Sequence, residues 1–173
     1  TITTSDGATI HYLESGKGPA ILFVPGWTIA ADIFAPQLAH FGRNWRAVAM
    51  DPRAHGESSK TGEGHDMATR GRDIKAVIDQ LKLSPVVLVG WSNGVTEVAG
   101  YLDQFGTAGV AGLVFIDGTA GGNITAEMRE ARNKTLSRMF TDRRAFTESF
   151  VRSMYKKPQG EAYIASVVDG VMK

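Results

Sequence analysis

The chain has 173 residues, 43% hydrophobic and 21% charged, the ordinary balance of a globular domain long enough to bury a core. A formal net charge of +1 gives neither the basic footprint of a nucleic-acid binder nor an acidic tail. The absence of cysteine excludes disulfides, a thiol nucleophile and Cys-ligated zinc, and no apolar run approaches the ~20 residues of a membrane span.

In chain order, Thr1–Thr4 and Ala8–Leu13 are predicted as two short strands around the turn Ser5-Asp6-Gly7. Gly16-Lys17-Gly18-Pro19 marks the next turn and Ala20–Val24 a buried strand. This turn is not a phosphate-binding loop. In the spacing G-x-x-x-x-G-K-[ST], His11 stands at the first glycine and Gly18 at the hydroxyl position. Asp32 is expected to cap a helix that carries Pro36 in its first turn and runs to about His40. Arg46–Met50 reads as a strand, and Met67, Ile74, Val77, Ile78 and Leu81 mark one face of a longer helix. Val86–Val89 is another buried strand, followed by Val95, Val98, Ala99 and Leu102 at helical spacing, and then by the strand Gly112–Ile116. This alternation predicts an α/β fold with a mostly parallel sheet behind an N-terminal antiparallel hairpin. Residues 123–173 change character. Helices are expected over Thr125–Phe140, Arg143–Met154 and Gly160–Val171, with Met128, Met139, Phe140, Phe146, Phe150 and Met154 as soft apolar faces. These faces suit ordinary packing and also a helical cap over a substrate pocket. The predicted organisation is therefore a core over 1–122 and the start of a cap over 123–173.

Between the strand and the helix lies Gly90-Trp91-Ser92-Asn93-Gly94, a G-x-S-x-G pentapeptide in the context of a nucleophile elbow. A serine on such a corner has strained backbone angles, and glycine neighbours allow other backbone to approach closely. The helix that follows points its N-terminal amides at any oxyanion that forms. A chance match in a chain with 20 glycines is the plain alternative.

With these residues the chain resembles the α/β-hydrolase fold family. Phe23-Val24-Pro25-Gly26-Trp27 resembles that family's oxyanion turn, with Pro25 where histidine is frequent. Asp51-Pro52-Arg53-Ala54-His55-Gly56-Glu57-Ser58 resembles its D-x-R-G-x-G-x-S loop, with Ala54 replacing the usual glycine. The segment from Glu97-Val98-Ala99-Gly100-Tyr101 to Asp117 is most similar to the branch of arylesterases and cofactor-free haloperoxidases (perhydrolases). The resemblance implies Ser92 as nucleophile, the backbone N–H groups of Trp27 and Asn93 as the oxyanion hole, and no cofactor.

It also implies an acid and a histidine after the serine, in that order. No histidine follows Ser92; the four are His11, His40, His55 and His65. The strands that carry the family's acid and histidine have no counterpart, so the chain reads as an N-terminal portion of a longer hydrolase or as a degenerate one, inactive alone. Asp117, at the end of a strand, is a candidate noncanonical acid, with a carboxylate bonding nearby amides as the alternative. His55 reads as a loop-closing residue before a base, and surface or packing roles suffice for His11 and His40. Asp66, after His65, is placed to cap its helix, and Asp51 is expected to fix its loop by an ion pair with Arg53. No metal-ligand spacing occurs.

Three functions fit. The first is hydrolysis of carboxyl esters or related small acyl substrates through an acyl-enzyme on Ser92. The second is perhydrolysis or haloperoxidation at the same site, and the third a non-catalytic binding protein on a hydrolase scaffold. The partner is a small-molecule substrate, with neither nucleic acid nor a membrane span implied; a chain truly this short would also self-associate through its last strand. The first residue, Thr1, fits either a trimmed cytoplasmic protein or a periplasmic or secreted one that has lost a signal peptide, so the compartment stays open.

Overall fold

In the computed structural model, which describes residues 1–122 and 125–173, the short apolar runs become the strands of one five-stranded sheet. The chain divides into two units, Thr1–Gly121 and Gly122–Lys173. In the first, β1 (Ile2–Thr3) and β2 (Thr9–Ile10) form a small antiparallel pair. The predicted strand Ala8–Leu13 breaks at His11. The backbone N–H of that residue donates to Ser58 Oγ (2.8 Å), and its carbonyl accepts from Asp51 N (2.9 Å), so neither is left for a ladder with β1.

The chain resumes as β3 (Tyr12–Ser15), followed by β4 (Ala20–Val24), α1 (Ala35–Phe41), β5 (Arg46–Met50), α2 (Met67–Gln80), β6 (Val86–Trp91), α3 (Asn93–Phe105) and β7 (Val110–Ile116). Strand order is β3-β5-β4-β6-β7; only β3 is antiparallel to its neighbour. All five residues of β4 are buried, because helices cover both faces of a parallel sheet at its centre. Leu22, Val24, Val48, Met50 and Leu88 pack with Ile74, Val77 and Ile78 of α2 and Val98 and Tyr101 of α3. On the other face Ile21, Phe23, Ala47, Ala49 and Val89 meet Phe34 and Leu38. Each Leu, Ile or Val so buried contributes roughly 1.5–3 kcal/mol of transfer free energy. At the edge, β7 is different. Leu113, Val114, Phe115 and Ile116 remain 41–44% exposed, so both faces of that strand meet solvent.

Asp66 caps α2 by accepting a hydrogen bond from Thr69 N (2.9 Å). Asp32 does not cap α1. A 3-10 turn, Ala31–Phe34, precedes that helix, so Asp32 lies inside the turn and the cap position falls to Phe34. Pro36 does occupy the first turn of α1.

The second unit contains α4 (Ala126–Thr141), α5 (Arg143–Ser153) and α6 (Glu161–Met172), capped at α4 and α5 by Thr125 and Asp142. Among its described residues the buried apolar ones include Val151, Ile164, Val167, Val168 and Val171. Of the methionines and phenylalanines expected on apolar faces, Met128 and Phe140 are exposed, whereas Phe146 and Phe150 stack at 6.3 Å. Among the described residues no helix is long and apolar enough to cross a membrane.

Candidate active site

Ser92 turns the corner from β6 into α3 with φ 54° and ψ −120°. A non-glycine residue holds such angles only where its surroundings over-determine them. Here its N–H donates to Ile116 O at the end of β7 (2.9 Å), and its carbonyl accepts from Val95 N (3.1 Å). The flanking glycines are required by close approach. A Cβ on Gly90 would lie 2.8 Å from Gly94 O and from Val95 N, and one on Gly94 would overlap the carbonyl oxygen of Val24. Asn93 opens the thirteen-residue α3, whose first amides have no partner within the helix.

The neighbouring strand β4 delivers Pro25-Gly26-Trp27 beside Ser92, since Val24 is in register with Gly90. A Cβ on Gly26 would stand 3.1 Å from Ser92 Cβ and 3.5 Å from Oγ, so this turn passes against the serine with glycine at the contact. Ile29 N donates to Gly26 O (3.2 Å) and closes a turn with Trp27 and Thr28 at its centre. Thr28 has φ 67°, a left-handed conformation that costs an ordinary residue roughly 1–2 kcal/mol. Its N–H donates to His55 Nε2 (2.7 Å), and its Oγ1 is buried without a partner.

The loop after β5 braces this turn. Asp51, 2% exposed, accepts from Ala31 N (2.6 Å) through one oxygen and from Glu57 N (2.9 Å) and His11 Nδ1 (2.8 Å) through the other. The expected Asp51–Arg53 ion pair is replaced by a longer-range one. Arg53, 3% exposed, donates two 2.7 Å bonds to Asp73 on α2 and further bonds to Asp6. Arg53 holds Asp6 well below the usual carboxylate range, and burial raises Asp73 despite the same partner. Ala54, where the resembled loop has glycine, takes φ 63°.

The histidines are engaged elsewhere. His11 binds Asp51, the His40 ring meets Phe41 edge-on at 5.1 Å, and His65 Nε2–H donates to Thr61 O (2.9 Å). His55 is buried, with Nδ1 2.9 Å from Arg53 O and Nε2 on Thr28 N–H; burial lowers its pKa to about 4. Asp117 follows β7 at φ 46° and is exposed. Its backbone lies near the elbow through the Ser92–Ile116 bond, but its carboxylate has no hydrogen bond to nearby amides among the described residues.

Glu97 was not anticipated as part of this constellation. On the first turns of α3 and 1% exposed, it accepts from Asn93 Nδ2 and from Arg70 Nη1, both at 2.9 Å, while Oε2 is buried without a partner. Burial pushes its pKa up to about 7, overriding the opposing effect of Arg70. A signal existed in the sequence. Glu97 stands four residues after Asn93 and beside Val98 and Tyr101 on the face that packs inward.

Among the described residues no cluster of three or more His, Asp or Glu side chains is placed to hold a metal ion. The assembled groups are a serine at a strained strand-to-helix corner, a helix N-terminus behind it and a glycine turn in front of it. Such a set suits attack on a carbonyl carbon with amides near the developing oxyanion.

The sequence model of a family described as alpha/beta hydrolase fold matches residues 19–158. A non-heme haloperoxidase of Rhodococcus erythropolis is 41% identical over 116 residues, covering 66% of this chain and 42% of the haloperoxidase. A bifunctional esterase/perhydrolase of Acinetobacter calcoaceticus is 37% identical over 118 residues, covering 66% and 43%. This chain therefore spans less than half the length of these curated relatives. An esterase from Exiguobacterium antarcticum shares the fold at 23% identity with a TM-score of 0.93, over 99% of this chain and 67% of the esterase.

Proposed function

The chain belongs to the alpha/beta hydrolase fold family, and from that membership we propose that it carries the nucleophile and oxyanion hole of a serine hydrolase acting on carboxyl esters or related small acyl substrates. Ser92 Oγ adds to the acyl carbonyl carbon, the negative charge on its oxygen is met by the N–H groups of Trp27 and Asn93, and the alkoxide leaves with a proton. Water then adds to the acyl-enzyme, releasing the acid and restoring the hydroxyl. The observation that carries this reading is the corner at Ser92, with Gly26 packed against its side chain. We assign the proton acceptor to none of the four histidines: His11, His55 and His65 hydrogen-bond other groups, and His40 is exposed in the last turn of α1. On this reading the base of a triad is not among these 173 residues, and Asp117, next to the Ile116 carbonyl that accepts from Ser92 N, is a candidate acid by position alone. Residues 123–173 are assigned to the family's cap segment because their described part holds three helices and no strand.

Perhydrolysis at the same serine is the second reading, favoured by the haloperoxidase and esterase/perhydrolase relatives. Peroxide in place of water would take the acyl group, so peroxide-dependent halide oxidation separates the two. In the natural gene product, Ser92→Ala is expected to lower p-nitrophenyl acetate hydrolysis by about 10⁴-fold or more, and a fluorophosphonate is expected to label Ser92. Retained turnover in that variant would place the nucleophile elsewhere, and a parent with neither turnover nor an adduct on Ser92 would leave the scaffold as a binding protein.

A further inference from the structure

A histidine with both ring nitrogens committed holds the turn that carries Trp27. Arg53 O can only accept, so His55 Nδ1 carries the hydrogen; Thr28 N–H can only donate, so Nε2 presents its lone pair. The imidazole is therefore neutral, in one defined tautomer, and spans from the loop 53–58 to the turn 26–29. Thr28 is β-branched and sits at φ 67°, a conformation that persists only when neighbouring groups impose it. The 2.7 Å bond from its amide to His55 is the polar contact that fixes the peptide plane between Trp27 and Thr28. With the Ile29–Gly26 bond closing the other side, the peptides on both sides of Trp27 are each held by a hydrogen bond.

We propose that His55 is a positioning residue of the oxyanion hole: as the neutral Nδ1–H tautomer it clamps the Trp27–Thr28 peptide and thereby aims the Trp27 amide at the site where charge develops beside Ser92. This rests on the assignment of Ser92 and Trp27 above and extends it to a residue that touches neither substrate nor nucleophile. His55 takes no proton from Ser92, because its lone pair is already used. The charged groups that face it are Arg70 from α2 and Asp51 and Lys60 from its own segment. Burial, in the same direction as Arg70 and Lys60, outweighs the bond to Arg53 O and the charge of Asp51, and the ring stays unprotonated down to about pH 4, so the clamp holds across the physiological range. A protonated ring would present a second N–H to Thr28 and release the turn.

The test uses the natural gene product and compares His55→Phe, His55→Gln and Ser92→Ala. His55→Phe keeps an aromatic ring and removes the acceptor; kcat for p-nitrophenyl acetate is expected to fall about 10²-fold with KM little changed, the cost of a donor displaced by about 1 Å. His55→Gln presents an amide oxygen near the position of Nε2 and is expected to restore most of that loss. Long-range ¹H–¹⁵N spectra at pH 7 are expected to show His55 protonated at Nδ1 and bare at Nε2. Parental kcat in a folded His55→Phe variant, equal loss in the Phe and Gln variants, or a protonated Nε2 would each overturn the proposal. Turnover surviving in Ser92→Ala would instead sink the serine assignment, leaving the nitrogen spectra to decide the clamp alone. If His55→Phe does not fold, His55→Gln kinetics and the spectra still decide.

Discussion

On one side of Ser92 the turn 25–31 and the loop 51–58 are fixed by buried polar groups, each with a specific partner: Asp51 on three donors, Arg53 on Asp73, His55 between Arg53 O and Thr28 N. On the other side β7 joins the elbow through ladder bonds and one amide, while Leu113 to Ile116 and Asp117 stand in solvent. The first flank shows how a geometry is specified. Directional bonds inside a low-dielectric interior leave few alternatives, because an unpaired member there is costly. The second flank is apolar and edge-like, and apolar contacts alone tolerate many arrangements.

If the braced flank is as specific as its bonds suggest, removing one partner there should cost most. Asp73→Ala leaves Arg53 buried with Asp6 alone and is expected to destabilise the chain by about 3 kcal/mol or more in urea unfolding. A loss under 1 kcal/mol would place this pair with ordinary surface bridges.

A second test separates two buried titratable groups by sign. His55 has its pKa lowered to about 4, so between about pH 4 and 6.5 the unfolded state binds more protons and stability rises with pH. Glu97 has its pKa raised to about 7, so between about pH 4.5 and 7 the folded state binds more protons and stability falls with pH. Each contribution is about 3 kcal/mol at most, and the two oppose one another from pH 4.5 to 6.5. The contributions of these two groups to the parent's unfolding midpoint should therefore largely cancel there. Glu97→Gln should uncover a rise with pH and His55→Gln a fall; identical profiles for both would refute the assignment.

Smaller effects sharpen the contrast. Ala54→Gly relieves φ 63° and should stabilise by about 0.5–1 kcal/mol, read from the melting temperature. On the opposite flank, Val114→Lys should alter stability by no more than about 0.5 kcal/mol. Its effect should instead appear in sedimentation. The 173-residue chain is expected to associate through β7, and a lysine on that edge should weaken the association.

The sequence carried the parts of this architecture that are local. The run Ala20–Val24 became a strand with the expected ends, and the cap at Asp66 and the three late helices are close to their predicted bounds. The elbow was legible because its pentapeptide sits between two such local patterns. What escaped are side chains whose partners lie far along the chain. The break at His11 depends on Ser58 and Asp51, the partner of Arg53 is Asp73, and Glu97 is matched by Arg70. No periodicity records such pairings. Asp32 shows the opposite failure, a good local cap signal overruled by a 3-10 turn.

The strand order has a consequence for synthesis. Because β4 lies between β5 and β6, its ladder to β5 is available once Met50 has left the ribosome, whereas its other side waits for Val86 to Gly90. At ordinary translation rates the intervening residues 51–85 take roughly 2–7 s to emerge. For that interval Ala-Ile-Leu-Phe-Val is a bare apolar template on the nascent chain. Among the described strands that gain a partner on both sides, the one at the centre of the finished sheet thus waits longest for its second.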